Sequence, residues 1–182
     1  MRAPLRFILA LSLGAAVAVQ FAARHPGGAQ KAATPVTHAA PQLGPGDSIA
    51  AAALAQLDRP YRPGGRTPGQ GFDCSGLVCY AYAETARPVR ARSANAQAAA
   101  GRAVTRDEVA VGDVIAFARE PGGRYFHSGV VVHASADSLV FVHANRRHGV
   151  HRTRLGTSRY WSSKVIAFRR MHGSARGATP RA

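Results

Sequence analysis

The spacing of apolar residues along this chain changes from helical to strand-like near Gly112. Before that point, two apolar runs have helical spacing, and each follows a residue type that caps helices, Ser48 or Asp73. We therefore predict a helix that starts at Ser48 as its cap, runs from Ile49 and ends before Pro60, and a second helix that begins at Cys74.

Two further local elements are predicted between the second helix and Gly112. The second helix must end before Pro88, because proline cannot continue a helix. The alanine-rich stretch Ser93–Ala100 predicts a third helix with Gly101 as its stop. Thr105–Glu108 has the spacing of a capping box and predicts one more turn.

After Gly112 the apolar runs are short, rich in β-branched and aromatic residues, and separated by turn residues. They predict five strands, over residues 114–118, 129–134, 139–144, 150–153 and 165–169. Helices first and strands second predict an α+β domain with an antiparallel sheet. The Cys74 helix is expected to pack on one face of that sheet.

The N-terminal segment, residues 1–23, has the pattern of a secretory signal peptide. A short basic head precedes an uncharged run from Phe7 to Ala23, and Ala16–Ala18 fits a small-residue cleavage site. An uncleaved anchor is the open alternative, because about 17 apolar residues is the lower limit for spanning a bilayer. With either outcome we expect export to the periplasm or the cell envelope.

Composition divides the rest of the chain into three parts. Residues 24–46 are rich in proline, glycine and alanine, which predicts a flexible linker. The folded domain is expected over residues 47–172. Residues 173–182 are small and basic and predict a disordered tail.

The two cysteines, Cys74 and Cys79, are predicted to stay free even after export. On one helix their Cα atoms are separated by a rise of roughly 7.5 Å, which exceeds the roughly 7 Å limit for a disulfide. Cys79 is interpreted as a small core residue. Cys74 stands at the start of its helix, where the helix dipole is expected to favour the thiolate, the nucleophilic form.

Two histidines in apolar runs, His127 and His143, are candidate partners of Cys74. A thiol nucleophile needs an imidazole to move its proton and a third group to orient that imidazole. A buried histidine of purely structural role is the open alternative for each. We predict no metal and no cofactor, since the chain contains neither a C-x-x-C pair nor an H-E-x-x-H segment.

The formal net charge of +15 is carried almost wholly by arginine. Such a charge predicts non-specific attraction to an anionic cell surface. The arginines are scattered and no aromatic series is interleaved with them, so specific nucleic-acid binding is not expected.

Six segments, in order, resemble the motifs of the NlpC-type cell-wall cysteine peptidases, a branch of the papain-like superfamily. The segments are Pro60–Gly65 (P-Y-x-x-G-G), Phe72–Val78 (the nucleophile motif), Arg92–Gln97 (R-S…Q), Gly112–Phe117 (G-D-L-x-F-F), His127–Val130 (H-x-G-I) and Phe141–Ala144 (F-I-H-A). The resemblance extends over residues 57–171. It implies a papain-like NlpC-type fold, with N-terminal helices packed on a five- to six-stranded antiparallel sheet.

The resemblance also implies a role for each site residue. Cys74 matches the nucleophile, His127 the general base and then acid, and His143 the third member of a Cys-His-His triad. Tyr61 matches a tyrosine that lines the site. Asp73 and Ser75 match positions that contact the ammonium group of an N-terminal L-alanine, while Asp73 also has a structural interpretation as the helix cap.

The function implied by the resemblance is that of an exported peptidoglycan hydrolase acting as a monomer. Its substrate would be the stem peptide, cut at the amide between γ-D-glutamate and meso-diaminopimelate. An N-acetylmuramoyl-L-alanine amidase, a cross-link endopeptidase, a toxin aimed at rival cells and a catalytically silent wall-binding protein stay open. Three residues, Arg62, Pro63 and Ser128, depart from the family pattern.

Overall fold

The computed structural model describes residues 43–173. The predicted signal peptide, all but the last four residues of the predicted linker, and the tail beyond residue 173 lie outside the described residues. Within residues 43–173, no helix has both the length and the apolar character needed to cross a membrane.

The helices of the described region are α1 (Pro45–Leu54), α2 (Cys74–Ala83), α3 (Ala94–Ala99) and the short α4 (Arg159–Ser162), which follows a 3₁₀ turn over Leu155–Thr157. The predicted start of α1 at Ser48 is wrong, because Gly44 is the N-cap and Pro45 the first helical residue. Proline is well suited to that position, since its missing N–H would have no partner there. Ser48 instead donates its hydroxyl to the Gly44 carbonyl, 3.2 Å away.

The strands are β1 (Arg66–Thr67), β2 (Gly71–Phe72), β3 (Arg102–Val104), β4 (Val114–Ala118), β5 (Tyr125–Ala134), β6 (Leu139–Asn145), β7 (Gly149–Arg154) and β8 (Val165–Arg170). The five predicted strands correspond to β4–β8. The strand predicted from Gly129 begins earlier, at Tyr125, because the pairing with β4 continues to Ala118. The sequence analysis did not predict β1, β2 or β3, each of which has only two or three residues.

Strands β3–β8 form one six-stranded antiparallel sheet in the order β3-β8-β4-β5-β6-β7. Strands β1 and β2 form a separate hairpin next to the start of α2. The predicted α+β class, with helices packed on an antiparallel sheet, is confirmed.

Helices α1 and α2 cover one face of the sheet. Their fully buried residues Ile49, Leu77 and Val78 pack against the buried strand residues Val130 and Val142. Phe72 and Leu77, spaced for a hydrophobic staple across the start of α2, are both fully buried in this cluster. Burying a side chain of this size contributes about 1.5–3 kcal/mol, so this packing holds the first turn of α2 on the sheet.

A second apolar cluster contains Phe117 of β4, Phe141 of β6 and Trp161 of α4. Trp161 lies 4.7 Å from Phe117 between ring centroids. Because α4 follows β7 and precedes β8, its docking brings an indole to a cluster otherwise built by the sheet.

The buried carboxylate of Asp113 joins the beginning of β4 to the end of β8. Arg170 donates to it from two nitrogens, at 2.8 Å to each oxygen, and the Ala110 backbone N–H donates at 2.8 Å. Burial alone would raise the pKa of Asp113, but the bonds from Arg170 and His172 outweigh burial and hold it below its usual value. Asp113 is therefore ionised and acts as a structural anchor.

Candidate active site

The start of α2 is fixed by the side chain of Asp73. Its Oδ1 accepts the backbone N–H of Gly76 at 2.6 Å, and its Oδ2 accepts the N–H of Gly64 at 2.8 Å. The predicted N-cap is confirmed. The same carboxylate thus places Cys74 at the first position of the helix and ties the preceding glycine loop to it.

Ser75 is close to the same carboxylate. Its hydroxyl lies 3.0 Å from Asp73 Oδ1 and 3.2 Å from the carbonyl of Arg92, and the residue is buried. The protein's own donors therefore occupy much of the Asp73 carboxylate. A contact of Asp73 or Ser75 with a substrate ammonium group stays a prediction.

Tyr61 lies on a loop that backbone hydrogen bonds hold beside β2, just before the start of α2. The neighbouring residues exchange two backbone hydrogen bonds with Phe72, from Arg62 N–H and to the Pro60 carbonyl, each 3.0 Å long. Burial, with a smaller effect from the nearby Cys74, raises the pKa of Tyr61, so its phenol stays protonated and can donate. The Arg146 guanidinium carbon lies 5.6 Å from the centre of the Tyr61 ring.

His127, His143 and Thr153 form a continuous chain of short polar contacts. His127 Nε2 lies 2.8 Å from His143 Nδ1, and His143 Nε2 lies 2.9 Å from Thr153 Oγ1. The three residues belong to β5, β6 and β7, which are neighbours in the sheet. The structure thus brings the two predicted histidines together and adds Thr153, which the sequence analysis did not predict.

The close approach of β6 to β5 depends on Gly129. A Cβ at this position would lie 2.7 Å from the Val142 carbonyl oxygen and 3.1 Å from the Cβ of His143. Any larger residue would push β6 away and lengthen the contact between the two imidazoles.

The polar chain determines which ring nitrogens carry protons. If His127 keeps its lone pair on Nδ1, its proton is on Nε2 and is donated to His143 Nδ1. His143 then carries its own proton on Nε2 and donates it to the Thr153 hydroxyl. This assignment, made from the hydrogen-bond network, leaves His127 Nδ1 able to accept a proton.

Both imidazoles are shielded from water. Trp161 stacks on His127 with 4.5 Å between ring centroids and meets His143 edge-on at 5.1 Å. Burial lowers the pKa of His127 and of His143 below the ordinary imidazole value, and the neighbouring His151 adds to the effect. Both rings are therefore neutral at pH 7, the form in which His127 can act as a base.

The structure reverses the direction in which the helix dipole was predicted to shift the pKa of Cys74. Burial raises the pKa of Cys74, and the carboxylate of Asp73 adds to it, while the polar groups of Ser128 and Ser75 oppose it. Burial outweighs the helix start, so Cys74 rests as a thiol that must lose its proton to a base.

Cys74 lies beside Ser128, the residue that follows His127 in β5. Between the described side chains of Cys74 and His127 themselves, no hydrogen bond is formed. Such contacts are often long without substrate and shorten in the complex. Within the described residues, the backbone N–H of Cys74 also has no acceptor, so it is free to donate to an oxyanion.

Gln97 connects the start of α2 to β5. Its amide nitrogen donates to the Ser75 carbonyl and to the Ala91 carbonyl, at 3.0 Å each, and its oxygen accepts the Ser128 hydroxyl at 2.7 Å. Gln97 and Ser128 are both fully buried. Ser128, which departs from the family pattern, thus has a defined partner.

Cys74 and Cys79 are both free, as predicted from the distance along the helix. The Cys79 sulfur lies 3.4 Å from the Ala91 carbonyl and 3.6 Å from the Gln97 amide nitrogen. Burial raises the pKa of Cys79, and the Gln97 amide partly opposes this. Cys79 is half-buried and makes structural contacts.

Two cavities lie at the candidate active site. One, of about 410 Å³, is lined by Cys74 and Ser75, and the other, of about 1100 Å³, is lined by Tyr61, His127 and Thr153. Arg119 and Phe126 line both. The two cavities therefore adjoin at these residues, and we refer to them together as the cleft.

The remaining histidines differ in their distance from the site. His133 is exposed, whereas His151 lies 4.2 Å from His143 between ring centroids. In the described part of the chain, no group of three or more His, Cys, Asp or Glu side chains is arranged to hold a metal ion.

A comparison with protein families identifies the chain. The model of the NlpC/P60 family matches residues 58–170, which contain Cys74, His127, His143 and Thr153. The chain belongs to the NlpC/P60 family. The family and fold class implied by the six motifs are confirmed, and by family the matched region is a cysteine-peptidase domain.

Curated relatives are named hydrolases and endopeptidases. The chain is 36% identical over 111 residues to the gamma-DL-glutamyl hydrolase of Bacillus subtilis, an alignment covering 61% of this chain and 26% of that protein. It is 40% identical over 81 residues to murein DD-endopeptidase MepH of Escherichia coli, covering 43% and 30%. It is 31% identical over 112 residues to the probable endopeptidase NlpC of Escherichia coli, covering 62% and 69%. The chain thus spans less than a third of the length of the first two.

Solved structures share the fold. The NlpC/p60 domain of the peptidoglycan hydrolase SagA matches with a TM-score of 0.53 and 27% identity, over 67% of this chain and 96% of that one. RipD of Mycobacterium tuberculosis, described as a non-catalytic NlpC/p60 domain adapted to peptidoglycan binding, matches with a TM-score of 0.53 and 22% identity, over 71% and 98%. Because the same fold occurs without catalysis, activity must be argued from the site.

Proposed function

We propose that this protein is an exported peptidoglycan hydrolase, a cysteine endopeptidase that cuts the stem peptide between γ-D-glutamate and meso-diaminopimelate. The observation that carries the proposal is the chain from His127 through His143 to Thr153, with contacts of 2.8 and 2.9 Å, beside Cys74 at the start of α2. The name of the gamma-DL-glutamyl hydrolase relative supports cleavage at a glutamyl amide, and the name of the murein DD-endopeptidase relative supports peptidoglycan as the substrate. Export rests on the signal-like pattern of residues 1–23.

The first step is acylation of Cys74. His127 Nδ1 removes the proton from the Cys74 thiol, and the sulfur forms a bond to the carbonyl carbon of the γ-glutamyl amide. The negative charge on the carbonyl oxygen is stabilised by the free backbone N–H of Cys74 and by the protonated phenol of Tyr61. When the C–N bond breaks, the amine leaves with the proton held by His127.

The second step regenerates the enzyme. Neutral His127 removes a proton from water, whose oxygen attacks the thioester carbon, and the proton returns to the Cys74 sulfur as the acid leaves. His143 takes no proton in this cycle. It holds the Nε2 proton of His127 and stabilises the imidazolium that exists between the two transfers.

The test is digestion of purified muropeptides, with product masses as the readout. The proposal predicts products cut after γ-D-glutamate, no products with Cys74→Ala, and normal products with Cys79→Ala, which removes the other thiol as a matched control. Intact stem peptides released from the sugar would instead identify an amidase, and separated cross-linked peptides a cross-link endopeptidase. If the reduced wild-type protein binds muropeptides but yields no product, the proposal is wrong and a silent wall-binding role is correct.

A further inference from the structure

The cleft that passes Cys74 is lined by an unusual set of charges. Its arginines are Arg119, Arg146 and Arg147 in the larger cavity and Arg119 and Arg124 in the smaller one. Among the described residues, Asp58 is the one acidic side chain that lines either cavity. The charge lining the cleft is therefore mostly positive, which favours an anionic ligand.

The four arginines have no anionic partner in the described region. The ion pairs that involve arginine within residues 43–173 join Arg102 to Glu108 and Arg170 to Asp113, both outside the cleft lining. Of the four, Arg146 interacts with the Tyr61 phenol by a side-chain hydrogen bond. The donors of Arg119, Arg124 and Arg147 are therefore the ones most available to a ligand.

Two of the guanidinium groups are held over aromatic rings. The Arg119 guanidinium carbon lies 4.5 Å from the centre of Phe126, and that of Arg146 lies 5.6 Å from the centre of Tyr61. Stacking of this kind positions the planar group while leaving its N–H edge free, and that edge matches a carboxylate with two parallel hydrogen bonds. Arg119 lines both cavities, and Cys74 lines the smaller one with it.

We propose that this cleft recognises free carboxylates on both sides of the amide that Cys74 attacks, with Arg119 as the main specificity residue. The proposal rests on the proposed function for the position of that amide. The substrate class is a γ-glutamyl peptide whose α-carboxylate is unmodified and whose next residue carries a second free carboxylate. Peptides with the same carboxylates converted to amides are poor ligands, because an amide cannot accept from Arg119 with a full charge and leaves the cleft arginines unpaired.

The test separates binding from catalysis. Isothermal titration of the Cys74→Ala protein with synthetic L-Ala-γ-D-Glu-meso-diaminopimelate, and with the same peptide amidated at its glutamyl α-carboxylate and side-chain carboxylate, measures recognition without turnover. We expect the free acid to bind about tenfold or more tightly than the amidated peptide. In a Cys74→Ala background, Arg119→Gln should reduce that ratio to about twofold or less.

A matched control distinguishes contact from general attraction. Arg87 is an exposed arginine that lines a separate surface cavity, so Arg87→Gln removes the same charge elsewhere. It should leave the binding ratio unchanged. Equal affinity for the two peptides, or an equal effect of Arg119→Gln and Arg87→Gln, would overturn the inference. Absence of Cys74-dependent cleavage of the free acid by the wild-type protein would instead count against the proposed function alone.

Discussion

Thr153 offers the sharpest test of how the site works, because its hydroxyl ends the polar chain that begins at His127. Its Oγ1 lies 2.9 Å from His143 Nε2, and His143 is fully buried. In Thr153→Val a methyl group replaces the hydroxyl at almost the same volume. The buried N–H of His143 then has no acceptor.

The expected size of the effect follows from the cost of that unpaired donor. Leaving a buried N–H unsatisfied costs about 1–3 kcal/mol. The network avoids most of this cost if His143 moves its proton to Nδ1 and donates it to His127 Nε2, but His127 must then carry its proton on Nδ1, where it can no longer accept one from Cys74. Since each 1.36 kcal/mol is a factor of ten in rate, kcat should fall by about 5- to 160-fold.

The assay combines muropeptide kinetics with nitrogen NMR of the imidazoles. If Thr153 positions the base, Thr153→Val should lower kcat with little change in KM and should shift the His127 proton from Nε2 to Nδ1. Thr153→Ser keeps the hydroxyl and should restore both. If Thr153→Val keeps kcat within about twofold of the wild type, or if Thr153→Ser loses as much activity, Thr153 does not support the triad.

Three further predictions concern the buried charges and rings. Because burial lowers the folded-state pKa of His127 and His143, their contribution to the free energy of unfolding is complete above pH 6.5, the ordinary imidazole pKa being about 6.5. Below that pH the contribution decreases by up to about 1.4 kcal/mol per pH unit for each histidine. Urea unfolding at pH 7 and pH 5 measures this, and equal stability at the two pH values would contradict it. The same burial places the acid limb of the kcat/KM pH profile below pH 6.5. Trp161→Ala, which opens the His127 ring to water, should move that limb to higher pH. An unchanged limb would mean that Trp161 does not control the pKa of the base. Asp113→Asn should lower the free energy of unfolding by about 3 kcal/mol, because it leaves Arg170 without its buried partner. Glu108→Gln, at the exposed pair with Arg102, should change the free energy of unfolding little. Similar effects of the two variants would show that burial of Asp113 does not matter.

Much of the site could be predicted because its signals are local. The Asp73 cap, the Phe72–Leu77 staple and the start of α2 at Cys74 are all within six residues, and short-range hydrogen bonds and contacts determine them. The α+β class followed from the change in apolar spacing near Gly112. The resemblance supplied the roles of His127 and His143, and the structure supplied their contact.

Other features depend on which strands lie side by side. Thr153 reaches His143 because β6 and β7 pair in a register that places Phe141 opposite Thr153 and His143 opposite His151. Trp161 reaches His127 because α4 docks on the sheet. No pattern within the segments that carry Thr153 and Trp161 reports these contacts, since each joins residues far apart in the chain.

The sequence by itself determined the family, the order of the main elements, the candidate nucleophile and the freedom of both cysteines. The tertiary structure alone decided the protonation of Cys74 and His127 and the convergence of Arg119, Arg124, Arg146 and Arg147 on one cleft. The physical reason is the range of the interactions involved. Helix starts and strand runs are set by neighbouring residues, whereas the cost of a charge depends on how much water the whole fold leaves around it.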